Sequence, residues 1–192
     1  IRQYKYCTNM STNPLTYTNV STAAIPHGIG TVWCTILWDM TWNIIQQTGV
    51  INPNIFDANA PGGNSIALKL VMEGMKLQPC SPGFVDGRDA ILAADQILYN
   101  GAYHCAILQA FARRGVGTDA SQGSSDSRSD QIVGFSTVES KLLVTQNVTQ
   151  QEENAEVVYT NKVTAGPCGN IVNYLLTDTL PSNVTYVSGG TY

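Results

Sequence analysis

One stretch constrains the fold of this chain more than any other, namely residues 26–49, PHGIGTVWCTILWDMTWNIIQQTG. The stretch is about six helical turns long. It carries all three tryptophans and a single charged residue, Asp39. Its apolar residues recur at the three- and four-residue steps of a helix; they are Val32, Trp33, Ile36, Leu37, Met40, Ile44 and Ile45. We expect a central helix that begins at Pro26, ends at Gly49 and is covered by neighbouring helices. Its polar interruptions argue against a membrane span.

Three further helical patterns follow on short loops. The second helix begins at Asn64 and stops before Pro79, with apolar positions Ile66, Leu68, Leu70, Val71, Met75 and Leu77. The third has Asp86 as a candidate N-cap and ends at Asn100, with apolar positions Ile91, Leu92, Ala94, Ile97 and Leu98. The fourth covers residues 103–114, with Ile107, Leu108, Ala110 and Phe111 inward. After an irregular polar approach at residues 1–25, these patterns predict an all-α lobe over residues 1–117.

The composition changes after the fourth helix. Residues 118–130, TDASQGSSDSRSD, show no hydrophobic periodicity, and they predict a flexible linker over residues 118–136. Residues 137–192 hold short β-branched runs separated by Gly, Pro and Asn, which is typical of β-sandwich strands. This region is too short to close a sandwich, and the chain does not begin with Met. We therefore expect a piece of a longer protein, mainly α with a partial β-sandwich.

Charge and polarity narrow the class of protein. Charged residues make up 12% of the chain and the net charge is −4, so a basic nucleic-acid footprint is not expected. Hydrophobic residues make up 43%, which is enough for a sizeable core. Low charge with abundant Thr, Asn, Ser and Gly suits a secreted surface. We expect an extracellular protein with no membrane span and no nucleic-acid partner.

Four segments of the helical region closely resemble a single family. They are IRQYKYCTNMSTNPLTY (1–17), HGIGTVWCTILWD (27–39), ALKLVMEGMKLQPCSPGFVDGRDAILAAD (67–95) and AFARRGVG (110–117). By these matches, residues 1–117 resemble the C-terminal catalytic lobe of the fungalysin family, secreted zinc metallopeptidases related to thermolysin. VVYTNKVTAGP (157–167) and LLTDTLPSNVTYVS (175–188) resemble a bacterial Ig-like repeat domain.

The resemblance implies an enzyme whose zinc is bound elsewhere. In thermolysin-like enzymes an H-E-x-x-H helix and a later Glu hold the metal, and this chain has only His27 and His104, with 76 residues between them. We expect the zinc motif upstream of this chain, in an N-terminal lobe of the same protein, and no metal bound by these residues. The implied substrate is a protein or peptide, and the fragment alone is expected to be inactive. The alternative is a two-lobed binding or adhesive protein that has lost the zinc motif.

His27 is the candidate catalytic residue. Thermolysin-like enzymes place a His of the C-terminal lobe just before a long helix, where it stabilises the negative oxygen of the tetrahedral species. By resemblance His27, in Pro-His-Gly-Ile-Gly, occupies that place. The alternative is a His that satisfies a loop hydrogen bond at a helix start. Thermolysin orients its His with an upstream Asp, whereas residues 19–26 contain no carboxylate. A neutral N–H and a partner from the other lobe both remain open for His27.

Other polar residues are given structural interpretations. His104 is expected to pack at the surface or between lobes. Asp39 is expected to cap a helix or to pair with a buried polar group or an Arg. Arg88 and Asp89 are expected to form an ion pair that holds the helices together. Packing is also expected for the aromatic residues of the opening loop, Tyr4, Tyr6 and Tyr17.

The five cysteines are interpreted through the same resemblance. Cys80 and Cys105 fall where the family places a disulfide. A second bridge between Cys7 and Cys34 is a hypothesis, and its alternative is two independent small buried side chains. Cys168 is left over, either free or paired beyond the end of this chain. Disulfides imply an oxidising compartment, in agreement with secretion.

Overall fold

The computed structural model describes residues 3–57, 59–137, 145–148 and 159–162, together with residues 168, 179, 182 and 185. The described part is mainly helical, as the sequence predicts. Its elements, in chain order, are a short 3-10 helix (Tyr17–Thr22), α1 (His27–Thr48), α2 (Gly63–Leu77), α3 (Phe84–Tyr99), α4 (His104–Arg113), β1 (Thr145–Val148) and β2 (Tyr159–Lys162). Within this part, every helix falls short of the length and hydrophobicity that crossing a membrane requires.

Helix α1 lies at the centre of the helical lobe, where it contacts α2, α4 and the 3-10 helix. One face is buried, comprising Val32, Thr35, Ile36, Asp39, Met40 and Ile44. Trp38 and Trp42 are half-buried and Cys34 is exposed, so the helix is covered on most sides but not all. It ends at Gly49, whose positive φ of 68° and N–H bond to the Ile45 carbonyl make a left-handed cap of the kind that favours glycine.

The apolar patterns of α2 and α3 include more residues than the lobe can bury. Leu68, Met75, Leu77 and Ile97 belong to the predicted apolar positions of these helices, but their side chains are exposed. Other members of the same predicted sets, such as Leu70 and Ala94, are buried. α2 packs between α1 and α3, so one side of it has no helical neighbour in the described residues. The three- and four-residue spacing shows which side of a helix is apolar, but not how much of that side is buried.

Gly63, the first residue of α2, lies against the backbone of α1. A Cβ built on Gly63 would lie 2.5 Å from the Ile45 Cα, so Gly63→Ala forces two backbones apart. We expect a loss of about 1–3 kcal/mol in the free energy of unfolding, measured by urea titration followed by circular dichroism. Gly30→Ala in α1 is the matched control, because its Cβ would meet nothing within 4 Å. Equal effects of the two substitutions would contradict this packing argument.

Hydrogen bonds join residues 118–136, the predicted flexible linker, to one another and to the helical lobe. The Gly117 and Thr118 N–H groups donate to the Gly134 and Ser136 carbonyls at 2.7 and 2.8 Å. A pair of backbone bonds also joins Ser121 to Ile132. The composition suggested flexibility, but short polar side chains also stabilise irregular backbone by bonding to it. Such bonds leave no hydrophobic periodicity in the sequence.

The cysteine pairing also differs from the expectation. Cys105, in the first turn of α4, forms a disulfide with Cys168, with a Cα–Cα distance of 5.1 Å. Cys80 is therefore not the partner of Cys105, and it lies exposed and free after α2. Cys7 and Cys34 are free as well, so the hypothesised second bridge is absent. Cys34 faces solvent from α1, which explains why it has no cysteine partner among the described residues.

The described part of the C-terminal region contains one strand pair. β1 and β2 are antiparallel, with Thr145 opposite Lys162 and Val148 opposite Tyr159. Both strands fall within runs that the sequence predicts as extended. The partial Ig-like sandwich predicted over residues 137–192 otherwise lies outside the described residues.

Candidate functional site

His27 is the first residue of α1 and its side chain is exposed. The turn that carries it is fixed by its backbone: the Gly28 N–H donates to the Ala24 carbonyl at 2.7 Å, and the Gly30 N–H donates to the Pro26 carbonyl at 3.1 Å. The His27 carbonyl accepts from the Thr31 hydroxyl at 2.8 Å. Among the described residues the imidazole itself has no hydrogen-bond or ion-pair partner. It is therefore free to donate to a group outside the lobe.

A cavity of about 410 Å³ opens beside the imidazole. Its wall is formed by the opening loop, the 3-10 helix and the first turn of α1, and it consists of Gln3, Leu15, Asn19, Thr22, Ala23, Ala24, His27, Gly28, Thr31 and Val32. Among the residues that the structure describes, His27 is the one titratable side chain in this lining. The other lining residues are small, apolar or neutral hydrogen-bonding groups. An uncharged wall with a single imidazole suits binding of a neutral group such as a peptide segment.

Arg114 is fully buried and supports the wall of the cavity through its hydrogen bonds. Its Nε donates to Asp39 Oδ2 at 2.7 Å and its Nη2 to Asp39 Oδ1 at 3.2 Å. Nη1 donates to the Asn13 and Leu15 carbonyls at 2.6 and 2.9 Å, and Nη2 also donates to the Cys7 carbonyl at 3.1 Å. All five N–H groups of the guanidinium are thus used. Arg114 therefore joins the opening loop, α1 and the end of α4.

The expectation that Asp39 pairs with an Arg is confirmed, although the sequence did not identify the partner. Arg113 also reaches Asp39, at 3.3 Å, but its side chain is 44% exposed. Sequence reasoning did not identify the buried role of Arg114. The available signal was one acidic residue within an apolar helix together with two adjacent arginines at the end of α4.

Arg88 and Asp89 form the expected ion pair, at 2.8 Å between Arg88 Nη2 and Asp89 Oδ1. Both residues are neighbours on α3, so the expectation that this pair holds helices together is wrong. Arg88 Nη1 donates to the carbonyls of Val116 and Gly117, so Arg88 fixes the chain as it leaves α4. Neither residue lines the cavity.

His104 begins α4, at a distance from the cavity lining, and is half-buried. Near it, the carboxylate of Asp95 accepts from the N–H of Tyr103, the residue just before α4, at 3.1 and 3.2 Å. Burial raises the pKa of Asp95, while the Tyr103 N–H and the charge of His104 oppose that shift. The packing role expected for His104 agrees with this position.

The tyrosines of the opening loop pack as expected. Tyr17 is buried against Phe84, with ring centroids 4.9 Å apart. Burial, and to a smaller extent the charge of Asp130, raises the pKa of Tyr17 to about 12, so this phenol stays protonated. Tyr6 stacks on Trp38 at 5.8 Å. Neither ring belongs to the cavity wall.

The described residues do not fit a zinc site. They hold no group of three His, Cys, Asp or Glu side chains that could bind a metal ion. His27 and His104 lie at the N-terminal ends of different helices. A zinc centre needs at least three such ligands together.

Comparisons with known proteins agree with the helical lobe. The family model described as "Fungalysin metallopeptidase (M36)" matches residues 1–120. "Extracellular metalloproteinase 2" of Trichophyton tonsurans is 48% identical over 126 residues, which are 64% of this chain and 20% of that relative. "Extracellular metalloproteinase MEP" of Neosartorya fischeri is 50% identical over 127 residues, 65% of this chain and 20% of that relative. The chain thus spans about a fifth of the length of these curated relatives.

Proposed function

Since this chain belongs to the fungalysin metallopeptidase family, we propose that it supplies the helical lobe of a secreted zinc-dependent endopeptidase. The similar proteins of Trichophyton tonsurans and Neosartorya fischeri are named extracellular metalloproteinases, which supports both the activity and the location. The substrate is a protein or peptide bound along a cleft. One side of that cleft is the cavity wall beside His27.

The exposed imidazole of His27 at the rim of this cavity carries the proposal. Attack of water on a peptide carbonyl creates a tetrahedral species with a negative oxygen, and a fixed N–H donor near that oxygen stabilises it. α1 is a rigid base for such a donor, because its buried face is packed by three other elements. His27 donates an N–H to the developing oxyanion in this proposal, and it does not act as a metal ligand.

Zinc, when bound, supplies electrophilic activation of the carbonyl and of water. Because the described residues cannot hold it, its ligands belong to another part of the protein. The residues of this chain bind the substrate, orient it and donate a hydrogen bond.

The C-terminal region is proposed to be an Ig-like module outside the catalytic unit. The antiparallel pairing of β1 and β2 supports this proposal, since such pairs build Ig-like sandwiches. The disulfide between Cys105 and Cys168 ties the module covalently to α4.

The proposed activity is tested on the full-length protein with an internally quenched peptide. We expect hydrolysis that 1,10-phenanthroline abolishes and that added zinc restores, because the metal is required for the chemical step. The isolated 192-residue chain serves as the control, and it is expected to show no hydrolysis. Hydrolysis that persists after complete metal removal would reject the zinc mechanism, and a folded, zinc-bound protein that cleaves no peptide would reject the peptidase.

A further inference from the structure

The loop at residues 121–132 reaches from the end of the helical lobe to the peptide that precedes His27. Backbone hydrogen bonds in both directions between Ser121 and Ile132, at 2.9 and 2.8 Å, close the base of the loop. Near its tip, Arg128 donates from Nη1 to the Ala23 carbonyl at 2.5 Å, across 105 residues of sequence. The match to the family model ends at residue 120, so this loop lies beyond the residues that the model matches.

Polar side chains give the loop a defined conformation. Gln122 accepts from the Asp86 N–H at 2.9 Å and donates to the Asp86 carboxylate, which anchors the loop to α3. At the other end, the Asp130 carboxylate accepts from the Ser124 N–H at 2.9 Å. That bond and the bond from the Ser127 side chain lower the pKa of Asp130, so the carboxylate is charged at neutral pH. A loop anchored in this way can hold a second segment in place.

The residue that Arg128 contacts belongs to the wall of the candidate site. Ala23 lines the cavity next to Ala24 and His27. The first turn of α1 is hydrogen-bonded to the next residue, since the Gly28 N–H donates to the Ala24 carbonyl at 2.7 Å. A displacement of residues 23–24 is therefore expected to reach the turn that carries the imidazole.

We propose that Arg128 is a positioning residue for His27. By holding the Ala23 carbonyl, it keeps residues 23–28 and the imidazole at the rim of the cavity in one place. The inference rests on the proposed function for its catalytic consequence, but the structural coupling can be measured without catalysis.

Hydrogen exchange of the full-length protein tests the coupling. In Arg128→Ala, the amides of residues 20–30 are expected to exchange about threefold to tenfold faster, because one hydrogen bond that restrains local opening is lost. Arg128→Lys keeps a donor and should recover part of the protection. Asp126→Ala, in the same exposed loop, is the matched control and should leave this peptide unchanged. Unchanged exchange of residues 20–30 in Arg128→Ala would overturn the proposal even if the protein cleaves no peptide.

Steady-state kinetics test the catalytic consequence. We expect Arg128→Ala to lower kcat about threefold to tenfold, because the donor is less often in place. In the His27→Ala background the same substitution should have no further effect, because Arg128 acts through that imidazole. A purely structural role would lower the activity of both backgrounds by the same factor. That result would overturn the positioning role, whereas absence of activity in the unmodified protein would refute the proposed function instead.

Discussion

Replacing Arg114 with methionine is expected to lower the free energy of unfolding by about 3–5 kcal/mol, which is the usual loss when one partner of a buried ion pair is removed. The cost arises because Asp39, which is only 1% exposed, is left with a buried charge and without its closest partner. The Cys7, Asn13 and Leu15 carbonyls lose their donor at the same time. A domain has only about 5–15 kcal/mol to lose, so the variant should be marginally stable.

Arg113→Ala is the matched control for this experiment. Arg113 contacts the same carboxylate at 3.3 Å, but its side chain is 44% exposed, so the expected cost is about 0–1 kcal/mol. Arg114→Lys keeps the charge and loses the planar fork, and its stability should fall between the two. Chemical denaturation followed by tryptophan fluorescence measures all three, because Trp33, Trp38 and Trp42 lie on α1. A similar loss of stability for Arg113→Ala and Arg114→Met would show that burial does not determine how much an ion pair with Asp39 contributes to the free energy of unfolding.

His27→Ala in the full-length protein is expected to lower kcat by about 10²–10³, the range found when one donor to an oxyanion is removed. The donor acts only when the negative charge develops, so kcat and kcat/KM should fall together while KM changes little. His27→Gln keeps an N–H donor and should lose less. Because the side chain is exposed, the substitution should leave the thermal unfolding temperature close to that of the unmodified protein.

His104→Ala is the control for His27. It removes the other histidine of the chain, which lies outside the cavity lining, so activity should remain near that of the unmodified protein. Activity of His27→Ala within about threefold of the unmodified protein would remove this residue from oxyanion stabilisation. An equal loss in both histidine variants would indicate damage to the fold rather than to the chemistry.

The four helices were predictable because their signals are local. Each apolar residue at a three- or four-residue step, and each Gly or Pro at an end, acts through neighbours within one or two turns. The predicted ends therefore lie within a few residues of the observed ones, as Gly49 illustrates at the end of α1. The position of His27 at the start of α1 follows from the same local pattern. Its catalytic role remains a prediction that the experiments above decide.

The sequence by itself determined the helical lobe, the need for a polar partner for Asp39 and, through long motif matches, the family. Only the tertiary structure decided that Arg114 rather than Arg113 is buried with Asp39, that Cys105 pairs with Cys168, and that residues 118–136 fold back onto the lobe. These contacts join residues 75, 63 and 105 positions apart in the chain. The spacing of apolar residues within one helix carries no information about contacts between residues so far apart in the chain. Those contacts depend on how all the helices pack together.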